Sequence, residues 1–157
     1  MRKILLTGMS GTGKSAALAE LARRGFTAVD TDDGGWSEWS DADGGYVWRE
    51  DRIAELLADD DGPTLYVAGT VSNQGRFYPR FDAVVLLSAP ADVLLHRIAT
   101  RTTNDYGKSR EDRDLILFHL AEVEPRLRAT STHEIDATQP LDAVVRQLIE
   151  IGEAGGD

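Results

Sequence analysis

The sequence predicts a three-layer α/β fold, a parallel sheet of five strands with helices on both faces. Three observations carry that prediction. Short, mostly apolar runs at 3–7, 26–30, 64–68, 83–87 and 134–136 alternate with helix-like stretches, the order from which parallel sheets are wound. The run Ala83-Val84-Val85-Leu86-Leu87 is apolar throughout, as a strand covered on both faces requires. The first run ends in Gly8-Met9-Ser10-Gly11-Thr12-Gly13-Lys14-Ser15, a complete G-x-x-x-x-G-K-S loop that leads directly into a helix.

The elements follow in order. Lys3 to Thr7 is the first strand, and Ser15 to Arg24 is a helix of good helix formers that stops at Gly25. Phe26 to Asp30 is the second strand. Asp51 to Ala58 has helical apolar spacing, and Asp59-Asp60-Asp61-Gly62-Pro63 ends it. Thr64 to Ala68 is the third strand and Ala83 to Leu87 the fourth. Pro90 opens a helix to about Arg101, a polar stretch follows, and another helix runs through Glu124. Glu134-Ile135-Asp136 is the last strand. The last helix, Leu141 to Ile151, has apolar residues at 141, 144, 145, 148 and 149. No repeat or long linker divides the chain, so one domain, 1–157, is expected.

The glycine loop carries the chemistry. Glycines allow successive backbone N–H groups to turn inward around a phosphate chain, Lys14 reaches the outer phosphates, and the Ser15 hydroxyl suits Mg²⁺. The helix that opens there adds a positive dipole end. The expected nucleotide contacts are therefore Gly8, Met9, Ser10, Gly11, Thr12, Gly13, Lys14, Ser15 and Ala16.

Composition narrows the setting. The chain has 157 residues, no cysteine, 17 basic and 27 acidic side chains, and a net charge of −10. Disulfides and thiolate metal sites are excluded. An acidic field repels polyanions, which argues against a nucleic-acid partner. No apolar run reaches the length of a membrane span, and the sequence opens on a strand, so a cytoplasmic protein is expected, a monomer or weak dimer.

Val29-Asp30-Thr31-Asp32 sets two carboxylates at the C-terminal end of the second strand, the edge where ligands bind in open α/β sheets. Asp30 suits Mg²⁺ held through water, and Asp32 then faces the acceptor. Arg97 and Arg101 stand one turn apart. The polar stretch 102–110 ends on Arg110 and reads as a mobile lid that brings arginines over the phosphates.

These pieces resemble the small P-loop kinases of the shikimate kinase, gluconate kinase and adenylate kinase group over nearly the whole length. The matching parts are the Gly8–Ser15 loop, Val29-Asp30-Thr31-Asp32, the Arg97/Arg101 pair before the lid-like stretch, and Glu134-Ile135-Asp136-Ala137-Thr138-Gln139-Pro140-Leu141. The resemblance implies strand order 2-3-1-4-5, ATP and Mg²⁺ as cofactors, and Mg²⁺ near Ser15 and Asp30. It also implies nucleobase contacts from Arg101 and from Ala137, Thr138 and Gln139, and acceptor contact at Asp32. Arg52, with Glu55 three residues on, is similar to the substrate arginine of shikimate kinases. The stretch after the third strand, Ala68-Gly69-Thr70-Val71-Ser72-Asn73-Gln74-Gly75, departs from their triple glycine, so shikimate is not implied as the acceptor.

Residues 32–60 are the expected substrate region. Trp36, Trp39, Tyr46 and Trp48 fall there beside Arg49 and Arg52, and aromatic faces among charges suit a polar, ring-bearing metabolite. Acceptor contacts are expected from Asp32, Trp36, Trp48, Arg49 and Arg52, and catalytic roles for Lys14, Asp32, Arg97, Arg101 and Arg110. His96, His119 and His133 show no ligand spacing, and Leu94, Leu95, Leu115, Leu117 and Leu120 read as core. Two functions fit: a kinase that moves the γ-phosphoryl of ATP to a hydroxyl or phosphate of a small metabolite, or a nucleotide-driven switch without an acceptor.

Overall fold

The computed structural model describes residues 1–101 and 108–154. The elements are β1 (Lys3–Thr7), α1 (Lys14–Arg23), β2 (Thr27–Asp30), β3 (Ser37–Ser40), β4 (Gly45–Trp48), α2 (Glu50–Ala58) and β5 (Leu65–Ala68). A 3₁₀ turn at Gln74–Arg80 follows, then β6 (Ala83–Ser88), α3 (Ala91–Thr100), α4 (Arg110–Glu122), α5 (Glu124–Thr130), β7 (His133–Asp136) and α6 (Leu141–Glu153). The main sheet is parallel, in the order β2-β5-β1-β6-β7. Counting its own strands alone, that is the expected 2-3-1-4-5.

Alternation along the strands sends side chains to two separate cores. Ile4 and Leu6 of β1 pack with Leu18 and Leu21 of α1 and Val145 and Leu148 of α6. Leu5, between them, joins Val67 and Val84 on the opposite face, against Ile53 and Leu57 of α2 and Phe77 and Phe81 of the 3₁₀ turn. Period-two alternation in a strand buried on both sides produces this division.

Three features differ from the sequence reading. Residues 37–48 form an antiparallel hairpin, β3-β4, with Trp39 opposite Tyr46. The helix expected through Glu124 breaks at Val123, because Pro125 lacks the N–H that would continue it and sits instead in the first turn of α5. Leu115 and Leu117 on α4 are 44% and 41% exposed rather than core.

Candidate active site

The parallel register brings the C-terminal ends of β1, β2 and β5 to one level, with Leu6 opposite Ala68 and Ala68 opposite Asp30. The chain leaves β1 through a loop in which Gly11 and Gly13 have φ +87° and +90°, values that glycine adopts freely. A Cβ at Gly11 would press on Ile98 and on the Leu94 carbonyl of α3, at 3.1 Å each. α1 then opens at Lys14 with no side-chain cap and no acidic residue in its first turn. Its leading N–H groups and positive dipole end therefore suit an anion.

Lys14 folds back over this loop, its ammonium donating to the carbonyls of Gly8 and of Met9, the latter at 3.2 Å. Burial pushes the ammonium down to about 8, against partial support from Asp32 and Asp30. Ser15 Oγ donates to Asp30 Oδ2 at 2.7 Å, and the Asp32 N–H donates to Asp30 Oδ1 at 3.1 Å. Asp30 thus fixes both the loop serine and the second carboxylate. Burial, and then the neighbouring Asp30 charge, raise the Asp32 carboxyl above the usual range. A serine hydroxyl beside carboxylate oxygens is a hard donor set suited to Mg²⁺. The described residues hold no cluster of three or more His, Cys, Asp or Glu able to hold a metal ion.

Arg97 bonds to two backbone segments. Its guanidinium donates to Gly11 O at 3.3 Å and to Ala137 O at 2.6 Å, so it clamps the glycine loop to the turn after β7. That turn is built by Asp136, whose Oδ1 accepts from the Thr138 N–H and hydroxyl at 2.8 and 2.6 Å. The Thr138 bonds hold the Asp136 carboxyl below its usual range. Gln139 donates to Asp136 O at 2.8 Å. Arg101 follows α3, its N–H bonded to Arg97 O. Of the expected lid, 102–107 lie outside the described residues. Lys108 is exposed, Ser109 caps α4 by accepting from the Asp112 N–H at 3.1 Å, and Arg110 opens that helix at the surface.

Beside the loop lies a cleft of about 430 Å³ lined by Gly8, Met9, Ser10, Lys14, Asp32, Tyr46, Thr70, Ile116 and His119. Of the five expected acceptor residues it includes Asp32 alone. Trp48 is a correction: it is 1% exposed, packs with Phe77 and Phe81, and donates its indole N–H to Thr31 Oγ1 at 2.9 Å. Arg52 lies over the Trp36 ring at 4.2 Å and donates to Gly34 O and Gly35 O, so the two residues brace the loop after β2. Arg49 faces Glu38 at 3.9 Å.

The cleft also uses residues that sequence reading passed over. Thr70 Oγ1 donates to Gly8 O at 2.8 Å and lies 3.2 Å from both the Gly8 N–H and the Thr7 hydroxyl. Gln74 donates to Thr7 Oγ1 at 3.1 Å. The departure after the third strand was the available signal for both. Tyr46 stood within the aromatic stretch, and only the hairpin separates it from Trp48. His119 and Ile116 carry no sequence signal at all.

A family model described as AAA domain matches residues 4–117, well over half of the chain. The chain belongs to the AAA domain family. Its fold is that of the small P-loop kinases of the shikimate and gluconate kinase group. This AAA domain superposes on a shikimate kinase from Acinetobacter baumannii in complex with shikimate, with a TM-score of 0.66 and 17% identity over 96% of this chain and 92% of that one. A gluconokinase from Sinorhizobium meliloti 1021 gives 0.67 and 22% identity over 98% and 94%. A shikimate kinase from Bacteroides thetaiotaomicron gives 0.62 and 19% over 96% and 97%. No curated protein matches the sequence. Among the described residues no helix is long and apolar enough to cross a membrane.

Proposed function

We propose that this AAA domain protein transfers the γ-phosphoryl group of ATP to a hydroxyl or phosphate of a small metabolite. One observation carries the reading: Lys14 and Asp32, the latter bonded to the Ser15–Asp30 pair, line a cleft that continues past Tyr46 and His119 into further space. A switch has no need of a second chamber beside its phosphate loop; a kinase does. The shikimate kinase and gluconokinase folds agree with this choice.

Bound ATP with Mg²⁺ supplies the transferable group and offsets part of its charge. The chain supplies position and field. N–H groups of the loop and the open end of α1 hold the phosphates. Lys14 releases the Gly8 and Met9 carbonyls and turns to the outer phosphates, where a full positive charge is favoured. Ser15 and Asp30, already bonded to each other, would hold the metal. Where the acceptor is a hydroxyl, Asp32, at the cleft wall, would take its proton as the new O–P bond forms and the bond from the γ-phosphorus to the ADP oxygen breaks, so that ADP leaves; its raised pKa suits a group that must hold that proton. Arg97 is a positioning residue, since its donors hold the loop to the nucleobase-side turn made by Ala137, Thr138 and Gln139. Arg101 stands at the end of α3 and Arg110 at the start of α4.

The test is ADP release with ATP·Mg²⁺ and pooled metabolites. Release should rise in the presence of one pool, and Asp32→Asn should depress that rise without weakening nucleotide binding. ADP release that no pool alters would remove the kinase reading in favour of a switch.

A further inference from the structure

The cleft beside the loop adjoins a second cavity of about 590 Å³, with Met9, Tyr46, Thr70 and His119 common to both. Its walls come from the hairpin, the 70–78 segment, α4 and α5. They are mainly apolar: Met9, Tyr46, Val71, Tyr78, Val123 and Leu127. Tyr46 is 65% exposed, and Trp39, itself 57% exposed, meets it edge to face at 5.5 Å. Tyr46, a large exposed aromatic on the wall of both cavities and braced by Trp39, keeps an apolar face available for a ligand.

Charge sets the rest of the specificity. An anionic acceptor needs arginines with free donors, and those near this side are committed elsewhere. Arg52 is held by the Gly34 and Gly35 carbonyls and Trp36. Arg49 pairs with Glu38, Arg76 pairs with Glu50 at 3.0 Å, and Arg80 donates to Ala54 O at 3.3 Å. Among the described residues, Arg126 on α5 is the one arginine that lines either cavity, and Asp43 of the hairpin turn borders the same space. Asp32 adds a further negative charge, and Lys14 belongs to the phosphates.

We infer that the acceptor is an uncharged alcohol with an apolar ring face, seated on Tyr46 between the hairpin and α4, and that Tyr46 is the residue that selects it. The hydroxyl points to Asp32, the ring face lies on Tyr46, and His119 and Thr70 offer hydrogen bonds at its edges. A carboxylate or phosphate on this body would be desolvated beside Asp32 and Asp43 without a matching guanidinium pair, which costs affinity. The inference extends the phosphotransfer reading, but its binding test stands apart from it.

Paired probes that differ only in charge decide the matter: neutral nucleosides and cyclic alcohols against the monophosphate or ring carboxylic acid of the same skeleton. Each is titrated calorimetrically into the full chain with ADP·Mg²⁺ present, then assayed for ADP release with ATP·Mg²⁺. At least one neutral member should bind tenfold or more tightly than its anionic twin. Tyr46→Ala, a change at an exposed position, should weaken that binding tenfold or more while nucleotide affinity holds within twofold. The inference is overturned if no neutral member binds, if the anionic twins bind better and lose affinity in Arg126→Ala, or if Tyr46→Ala has no effect. A neutral probe that binds through Tyr46 without acceptor-dependent ADP release would keep this pocket assignment and remove the phosphotransfer reading. Transfer to an anion would do the reverse.

Discussion

Replacing Lys14 by methionine should stabilise the ligand-free protein while abolishing phosphoryl transfer. The ammonium is charged at neutral pH yet lies half-buried against loop carbonyls, and burial lowers its pKa from 10.5 to about 8. At ~1.36 kcal/mol per pH unit, that fall corresponds to about 3.4 kcal/mol of differential cost for the charged form. Solvent at the loop mouth screens part of this. Methionine also gives up the two hydrogen bonds to Gly8 O and Met9 O, about 1 kcal/mol net. The expected gain is therefore about 1–2 kcal/mol at pH 7, roughly 0.5–1 M in the urea midpoint. The pH dependence follows from the direction of the shift. Between pH 8 and 10.5 the unfolded chain holds more proton at this site than the folded chain, so the stability of the parent rises across that window. The full penalty is present below pH 8 and gone above 10.5. The variant lacks this rise, so its advantage should shrink as pH increases, and comparing the two cancels the titrating groups that do not interact with Lys14. Urea unfolding of both proteins at pH 6, 7, 8, 9 and 10, without nucleotide, measures it. A variant no more stable than its parent at pH 7, or a difference that ignores pH, would refute the reasoning.

Other perturbations test other parts of the site. Asp30→Asn keeps the geometry around Ser15 but removes the charge; ATP turnover should fall about 10–100-fold and recover in part at raised Mg²⁺, as steady-state rates across a metal titration will show. Arg97→Ala frees the Gly11 and Ala137 carbonyls from their clamp. It should cost about 2 kcal/mol in urea unfolding and raise the KM for ATP more than that for the acceptor. In Gly69→Ala the new Cβ would sit 2.7 Å from Trp48 Cζ2 and 2.8 Å from Thr31 Oγ1. Those partners are buried and hydrogen-bonded and have nowhere to move, so a loss of about 2–4 kcal/mol is expected, read from the thermal or urea midpoint. A loss below about 0.5 kcal/mol would mean that the Trp48 contact is looser than the structure shows.

The hairpin explains why the aromatic stretch misled the reading of the acceptor site. Trp48 lies at its base, where the Trp48 N–H donates to Asn73 Oδ1 at 2.9 Å and Asn73 Nδ2 returns a bond to Trp48 O at 3.0 Å. That anchor directs the indole under β2 and into the core. Tyr46, two residues further out, stands over the cleft instead. Neither the spacing nor the residue type separates these two aromatics, because the distinction depends on where the hairpin crosses the sheet.

What the sequence determined by itself is whatever local chemistry dictates. The glycine loop, the strands that carry it, and the carboxylate pair Asp30 and Asp32 were all legible, because a phosphate loop needs those residue types at that spacing and a buried parallel strand must be apolar. The order of the sheet strands followed from the resemblance. The tertiary structure alone decided which side chains face the second cavity and which are committed elsewhere. Arg52 and Arg97 look equally available in the sequence, yet each is held by two backbone carbonyls, 17 and 18 residues away for Arg52 and 40 and 86 residues away for Arg97. His119 and Thr70 look ordinary, yet α4 and the turn after β5 bring both to the cleft wall. A guanidinium reaches several ångströms and will satisfy whatever acceptors lie within that radius. Those acceptors come from distant parts of the chain, so its role is settled only when the chain has folded.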